Sequence, residues 1–325
     1  MLNKRQFSCL LLATLALAGS HARADESFPS KPLKIIVPFP PGGTSDSVAR
    51  IMATGMQKRL GQPVIVENKP GAGTVIGNDY VAKSKPDGYT ILWGATPFAI
   101  NDSLVGEKLP YKTLKDFQPV IDLVAMPLVM IVKNDSPFKT LQDLIDYAKK
   151  NPGKLSYGSS GNGGSPHLAM ELFKSKAGVQ INHVPYKGSA PSVLDLIAGQ
   201  TDVVIDTVFL TMPQVQAGKA RALGQTARVR ADIIKDIPTM EEAGLSGYEA
   251  TSWMNFYVAA GTPKNIVNRL HDVSADVLAE PDVKKYLTEQ GVSITGGSVA
   301  DAERTLQQEI EKWGQVVRSS GARTD

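Results

Sequence analysis

A chain of 325 residues fits two domains of ordinary size, and its formal net charge of +3 arises within the first 24 residues. That segment holds three of the 35 basic side chains and no acid, so residues 25–325 carry 32 bases against 32 acids. A neutral chain argues against nucleic acid and against a polybasic membrane surface as partners, because both require a basic face. No later segment is apolar enough to cross a membrane.

The first 24 residues have the pattern of a secretory signal peptide. A basic start at Lys4 and Arg5 precedes an apolar core over residues 10–18, and Ala22-Arg23-Ala24 forms an A-x-A cleavage site. We expect cleavage after Ala24 and export to the periplasm. The chain's single cysteine lies in this segment, so the exported protein is expected to be stable without disulfides.

The next segment predicts a strand, a glycine loop and a helix. The apolar run 35–37 is typical of a strand buried on both faces. A Pro/Gly loop follows at 38–43, and Thr44, Ser45 and Asp46 are N-cap candidates for the helix. Free N–H groups at a helix start, reached over glycines, favour a bound anion.

Strand, loop and helix then alternate along the chain, which predicts parallel sheets with helices on both faces. Further strands are predicted at 63–67, 89–95, 155–158, 181–186, 202–205 and 220–225. Thr140 is predicted to cap a helix that ends at Lys150. The loops before the helices at 44 and 165 echo each other in their glycines and hydroxyl residues.

Two apolar stretches, 120–132 and 253–259, predict strands that cross between two domains. Two crossings imply two lobes and a cleft. Helices end the chain, and because they need a sheet to cover, we place them on the first domain. We therefore expect lobe I over 25–125 and 256–325, and lobe II over 126–255.

Ligands of open parallel sheets bind beyond the carboxyl ends of the strands. The segments at these ends are rich in Gly, Ser and Thr, hold no arginine and contain one lysine, Lys187. A carboxylate bound there would be held by N–H and hydroxyl donors, with bridging water. The alternative is that these loops are only well-formed connections. The ligand interpretation is favoured for the loops 39–46 and 159–167.

Five residues of these loops have a functional and a structural interpretation. Phe39 forms a wall of the cleft or packs in a domain core. Asp46 is favoured as a residue that caps its own helix. Asp206 accepts a hydrogen bond from a ligand hydroxyl or amine, or orients a water, or only forms a turn. Ser165 is expected to be the N-cap of the helix that follows it, and His167 to be a packed or hydrogen-bonded histidine.

The sequence contains no recognisable catalytic or metal-binding motif. The glycines of 71–77 are spaced one residue off the dinucleotide-binding fingerprint, and 158–161 is not a nucleophile elbow. Ser165 and His167 point away from each other on one helix start, so they do not form a triad with Asp206. We expect no catalytic residue, no metal and no cofactor.

Five ordered motifs nevertheless resemble one family, the Bug family of periplasmic solute receptors of tripartite tricarboxylate transporters. The motifs are Pro38-Phe-Pro-Pro-Gly-Gly with Asp46 and Ala49-Arg50, Glu67-Asn-Lys-Pro-Gly-Ala-Gly, Pro86-Asp-Gly-Tyr, the loop 158–167 and Val184-Pro-Tyr-Lys-Gly. The resemblance implies an α/β fold class: a two-lobed periplasmic binding protein fold, each lobe a mostly parallel sheet flanked by helices, with two crossover strands.

The resemblance also implies a ligand site and partners. Its ligand-binding positions fall on Phe39, Gly42, Gly43, Thr44, Ser45, Gly73, Thr74, Thr96, Ser160, Gly161, Gly164, Ser165 and Asp206. The expected ligand is a small carboxylate, which could be a di- or tricarboxylate, an acidic amino acid or an aromatic acid. The expected partners are membrane permease subunits, with no nucleic acid, and the receptor is expected to be a monomer.

We therefore expect a non-enzymatic receptor that traps a carboxylate between two lobes and delivers it to a membrane transporter. One alternative is a ligand-dependent periplasmic sensor, which sequence alone does not separate from a transport receptor. A second alternative is a periplasmic hydrolase or isomerase on the same lobes. The lack of a paired nucleophile and base argues against an enzyme.

Overall fold

The computed structural model describes residues 28–320 and Ala322. The predicted signal peptide and its cleavage site after Ala24 lie outside these residues. None of the helices in the described part combines the length and apolar composition that a membrane span requires.

Strands and helices alternate over most of the described chain. The strands are β1 (Leu33–Val37), β2 (Val64–Asn68), β3 (Thr90–Ala95), β4 (Phe117–Lys133), β5 (Ser156–Ser159), β6 (Asn182–Pro185), β7 (Val203–Thr207), β8 (Ala220–Gln225), β9 (Thr251–Ala259) and β10 (Ser293–Ile294). The α-helices are α1 (Thr44–Leu60), α2 (Val75–Ala82), α3 (Thr96–Leu104), α4 (Thr113–Asp116), α5 (Leu141–Lys150), α6 (Ser165–Ala177), α7 (Ser189–Ala198), α8 (Val208–Gln216), α9 (Lys264–Leu278), α10 (Pro281–Glu289) and α11 (Val299–Ser320).

The strands join in the order β2-β1-β3-β9-β4-β7-β5-β6, and β8 and β10 also pair with β4. At one end β1 runs parallel to β2 and β3, and at the other end β5 runs parallel to β6 and β7. The central strands β9 and β4 are antiparallel to their neighbours. The two halves are mostly parallel, as predicted, and they meet at a central antiparallel part that was not predicted.

The long strand β4 belongs to both halves of the sheet. From Phe117 to Pro127 it pairs with β9, and from Leu128 onward it pairs with β7. Pro127 stands where the pairing partner changes, a position that tolerates a residue without an N–H donor. The predicted crossover strand over 120–132 is therefore confirmed.

The chain returns to the first half beside this junction. The Thr226 N–H donates to the Leu128 carbonyl at 2.9 Å, and the Ala250 N–H donates to the Thr226 carbonyl at 3.0 Å. The chain then enters β9, which pairs with β3 and β4 in the first half. The two segments in which the chain passes between the halves of the sheet therefore lie side by side at Leu128.

The last helix packs on both halves of the sheet. Its Leu306 belongs to an apolar cluster with Phe98 and Tyr257, whereas its Trp313 belongs to the cluster around Tyr157 and Phe173. Full burial of such a side chain contributes about 1.5–3 kcal/mol. Helix α11 thus fastens the two halves behind the crossing strands, whereas α9 packs against α1 and β4.

The starts of two helices differ from the prediction. Gly43 is the N-cap of α1 and Gly164 the N-cap of α6, both with extended backbone and without a capping side chain. The expectation that Thr44, Ser45 or Asp46 caps α1, and that Ser165 caps α6, is therefore wrong. Because the glycines take the cap positions, the Thr and Ser hydroxyls at these helix starts are left for other partners. The predicted cap at Thr140 is confirmed, since its hydroxyl accepts from the Asp143 N–H at 3.1 Å.

Candidate functional site

A cleft between the two halves of the sheet holds two adjoining chambers. We call the first, of about 90 Å³, the inner chamber, and the second, of about 850 Å³, the outer chamber. Both are lined by Phe39, Pro40, Ser160, Lys187 and Gly188, which form the neck between them. The inner volume suits a carboxylate and a few waters, whereas the outer volume suits a small organic molecule.

Hydroxyl groups dominate the polar lining of the inner chamber. They belong to Thr44, Ser45, Ser160, Ser165, Ser189, Thr207 and Ser252. Lys187 is the charged residue of this lining, and neither chamber is lined by Asp, Glu or Arg among the described residues. The inner chamber therefore offers many neutral donors to a ligand and no negative charge that would repel an anion.

Four helices begin at the inner chamber. Thr44, Ser165, Ser189 and Thr207 lie at the first turns or cap positions of α1, α6, α7 and α8, and all four line the chamber. In none of these helices does the N-cap side chain accept a bond from the first N–H groups. Uncapped helix starts carry partial positive charge and free N–H donors, so their convergence makes an anion site.

The walls of the cleft touch each other. The Thr44 and Thr207 hydroxyls form a hydrogen bond of 2.9 Å between the two halves. At the outer chamber, a Cβ atom placed on Gly73 would lie only 3.0 Å from the Asn162 carbonyl oxygen. The structure therefore represents a closed cleft.

The sequence of this chain is similar to those of a known receptor family. Residues 48–322 match the TctC family, described as the tripartite tricarboxylate transporter family receptor. The chain belongs to this receptor family. Protein BugT of Bordetella pertussis is 34% identical over 316 residues, which cover 97% of this chain and 96% of BugT.

Two solved structures are similar over nearly the whole chain. R. palustris Rpa4515 with adipate is 36% identical, with a TM-score of 0.87. The match covers 91% of this chain and 99% of the Rpa4515 chain. MatC from Rhodopseudomonas palustris with bound malate is 31% identical, with a TM-score of 0.84. The match covers 89% of this chain and 100% of the MatC chain. The predicted family and the periplasmic binding protein fold are thereby confirmed.

The loop before α1 of the receptor is held by Asp46. This carboxylate accepts from the Gly42 N–H at 3.0 Å, from Asn68 Nδ2 at 3.0 Å and from Arg50 Nε at 3.1 Å. Burial raises the pKa of Asp46, but the bonds from Arg50, Gly42 and Asn68 outweigh it and the pKa is lowered. Asp46 therefore stays ionised and holds the loop before α1, although it does not cap the helix as expected.

Phe39 satisfies both of its interpretations. Its side chain lines both chambers and also packs against a buried apolar cluster that includes Ile35 and Val37 of β1. Asn68 Nδ2 donates to its carbonyl at 3.1 Å, so the backbone of the neck is held in place. One aromatic ring thus separates the chambers and covers part of the core.

Asp206 lies fully buried behind the inner chamber and lines neither chamber. Its Oδ1 accepts from the Thr207 N–H at 2.7 Å, whereas Oδ2 has no hydrogen bond of normal geometry among the described residues. Burial raises the pKa of Asp206 to about 6, and the Ser189 and Thr207 hydroxyls oppose this increase. A buried carboxyl that titrates near neutral pH thus stands behind two residues of the chamber wall.

His167 supports the loop of the second half from behind. Its Nδ1 accepts from the Gly163 N–H at 3.1 Å, and its ring stacks on the His183 ring with centroids 4.3 Å apart. The expectation of a packed, hydrogen-bonded histidine is confirmed. No group of three His, Cys, Asp or Glu side chains within residues 28–320 has metal-binding geometry.

The structure brings ten of the thirteen sequence-predicted ligand residues to the chambers. The inner chamber is lined by Phe39, Gly43, Thr44, Ser45, Ser160 and Ser165, and the outer chamber also by Gly73, Thr74, Gly161 and Gly164. Three others line neither chamber: Gly42, Thr96 and Asp206. Gly42 donates to Asp46, and Thr96 is fully buried and accepts from the Trp253 N–H at 3.2 Å.

Several lining residues were not on the list of predicted ligand positions, among them Ser189, Thr207, Lys108 and Ser252. Ser189 and Thr207 lie at predicted strand ends, so the rule on carboxyl ends could have included them. Lys108 ends a short turn after α3, and Ser252 lies within β9. No local pattern marks the last two, because only the closed cleft brings them to the ligand site.

Proposed function

We propose that this receptor is periplasmic, closes its two lobes around a small organic carboxylate and delivers it chemically unchanged to a tripartite tricarboxylate-type membrane permease. The observation that carries the proposal is the convergence of four uncapped helix starts on one hydroxyl-lined chamber. The relatives with adipate and malate support a carboxylate as the ligand.

Neutral donors explain how such a site holds an anion without an arginine. N–H groups at helix starts present partial charges in a fixed geometry, and they form charge-assisted hydrogen bonds to a carboxylate. Seven hydroxyls complete the shell around a volume of about 90 Å³. Neither chamber is lined by His, Cys or a carboxylate among the described residues, so the lining suits binding and release rather than bond cleavage.

The lobes are proposed to be residues 25–125 with 256–325, and residues 126–255. The sheet supports the first boundary of this division, because β4 changes its pairing partner at Pro127 and Leu128. At the second boundary β9 already pairs with β3 and β4 of the first half from Thr251 onward. Binding would occur with the lobes apart, and the Thr44–Thr207 bond would form on closure. Closure excludes water and strengthens each hydrogen bond to the ligand.

Thirteen residues remain proposed ligand positions with different roles. Those that line the chambers would contact the ligand directly. Gly42 and Thr96 would act by holding the loops that carry their neighbours. Asp206 would face a ligand amine or hydroxyl only through a water or a rearranged Ser189, because it lies behind the chamber wall.

Calorimetry with a panel of mono-, di- and tricarboxylates tests the proposal. We expect one site per chain and micromolar or tighter affinity, about −8 kcal/mol, for at least one acid. Mass spectrometry of molecules that copurify with the protein from its host would identify the ligand. Absence of binding by every acid at millimolar concentration would contradict the proposed function.

A matched pair of variants locates the site. A Cβ on Gly43 meets no atom within 4 Å, and this N-cap has φ of −89°, so Gly43→Val is compatible with the fold and projects into the inner chamber. We expect an affinity loss of at least a hundredfold with only a small fall in melting temperature, because valine is a poorer N-cap residue than glycine. Thr54→Val, on the exposed face of the same helix, is the control and should bind normally.

A further inference from the structure

The outer chamber is far larger than one carboxylate requires. Its volume is about 850 Å³ against about 90 Å³ for the inner chamber. Much of its wall is apolar, with Pro38, Phe39, Pro70, Val75 and Leu104 among its residues. A surface of this kind binds the hydrocarbon body of a ligand, because burial of apolar area in a preformed concave site is favourable.

Two lysines interrupt this apolar wall. Lys187 lines both chambers and lies between β6 and α7, in the second half of the sheet. Lys108 lines only the outer chamber and follows α3, in the first half. The closed cleft therefore places one lysine on each side of the outer chamber.

Neither lysine forms an ion pair with another residue in the described part of the chain. The lysine ion pairs of the described residues involve other lysines, and no acid lines either chamber. Two unpaired cations in a cleft without an acid create a positive potential that favours a second anionic group on the ligand. Lys187 lies at the neck, whereas Lys108 lies beyond it and lines only the outer chamber. The two lysines would therefore meet a second carboxylate at different distances from the first.

We infer that Lys108 makes the receptor selective for elongated diacids. In such a ligand one carboxylate occupies the inner chamber, an apolar body lies along Phe39 and the prolines, and the distal acid is held by Lys108. A short diacid would place its second carboxylate in the neck, within reach of Lys187 only. This inference rests on the proposed function, because it assumes that the first carboxylate occupies the inner chamber.

Calorimetry with the full exported chain tests the inference with two series of probes. The first contains linear α,ω-diacids from succinate to sebacate, and the second contains monocarboxylates of matched length. The proteins are the natural chain, Lys108→Gln, Lys187→Gln and the control Lys115→Gln, which removes one charge from an exposed lysine outside both chambers.

We expect a long diacid to bind the natural chain at least tenfold more tightly than the monoacid of equal length. Lys108→Gln should weaken long diacids five- to tenfold and leave succinate and the monoacids unchanged, because only a distal carboxylate meets this charge. Lys187→Gln should weaken short and long diacids alike. Lys115→Gln should change none of them.

The outcomes separate this inference from the proposed function. If acids bind but long diacids and matched monoacids bind equally, or if Lys108→Gln weakens every acid by the same factor, the inference is wrong and the carboxylate receptor stands. If no acid of either series binds, the proposed function fails and the inference fails with it. Circular dichroism of each variant verifies that the fold is retained.

Discussion

The hydroxyls of Thr44 and Thr207 lie 2.9 Å apart and join the start of α1 to the start of α8 across the cleft. The two residues are 163 positions apart in the chain and belong to opposite halves of the sheet. Both line the inner chamber, and both are buried. The contact that closes the cleft is therefore made by side chains that also surround the proposed ligand.

Loss of this contact should weaken ligand binding by destabilising the closed cleft. We expect Thr44→Val and Thr207→Val each to lower affinity about tenfold, since a buried hydrogen bond contributes about 0.5–1.5 kcal/mol and each hydroxyl also faces the ligand. The double variant should lose less than the sum of the two effects, because both substitutions remove the same bond. Calorimetry on the four proteins of this cycle measures the coupling, and strictly additive losses would show that the bond does not contribute.

Gly73 is expected to be required for closure rather than for stability alone. Its φ of +59° makes alanine unfavourable by about 1 kcal/mol, and a Cβ would lie 3.0 Å from the Asn162 carbonyl oxygen. Gly153 has a similar φ of +71° with no atom within 4 Å of its Cβ position, so Gly153→Ala is the matched control.

Thermal unfolding and calorimetry should separate these two glycines. Both alanine variants should lose about 1 kcal/mol of stability from the backbone strain. Only Gly73→Ala should lose affinity, because only its methyl group holds the walls of the outer chamber apart. Equal affinities in the two variants would mean that the chain accommodates the methyl group without opening.

Asp206 should make stability depend on pH between about 4 and 6. Burial raises its folded-state pKa to about 6, above the unfolded value near 3.8, so its contribution favours the folded state at low pH and is lost as pH rises through 6. At pH 7.5 the buried charge costs on the order of 3 kcal/mol, and Asp206→Asn removes this cost.

Melting curves of the natural chain and of Asp206→Asn from pH 4 to 7.5 check this sign. We expect the variant to be more stable at pH 7.5 and the difference to shrink steadily as the pH falls below 6. A difference that stays constant over this range would show that Asp206 does not titrate there. Asparagine keeps the oxygen that accepts from the Thr207 N–H, so the loop geometry should be retained.

Glu309 is expected to stabilise the packing of α11 against β9. One of its carboxylate oxygens accepts from Trp253 Nε1 at 2.6 Å and from Trp313 Nε1 at 2.7 Å. Both indoles are buried, so Glu309→Ala leaves two N–H groups without a partner and should cost about 3 kcal/mol. Glu309→Gln retains an acceptor and should cost clearly less. Urea unfolding measures both, and equal losses would show that the carboxylate charge, not an acceptor oxygen alone, is required.

Local patterns predicted the repeating units well but not their ends. The strand predicted at 202–205 extends through Thr207, because its last two residues pair with Val129 and Leu128 of β4. Helix α3 was not predicted, since its short apolar segment lacks a clear period. The caps of α1 and α6 were misplaced, because glycines with extended backbone took the positions that Ser and Thr usually occupy.

The sequence by itself determined the fold class, the glycine loops at strand ends and the scarcity of charge in them. These properties depend on local periodicity and composition, which neighbouring residues carry. Only the tertiary structure decided that Thr44 meets Thr207, that Lys108 joins Lys187 at the outer chamber, and that Asp206 lies behind the chamber wall. These relationships depend on how distant strands pair and how far the cleft is closed, and no short segment encodes either.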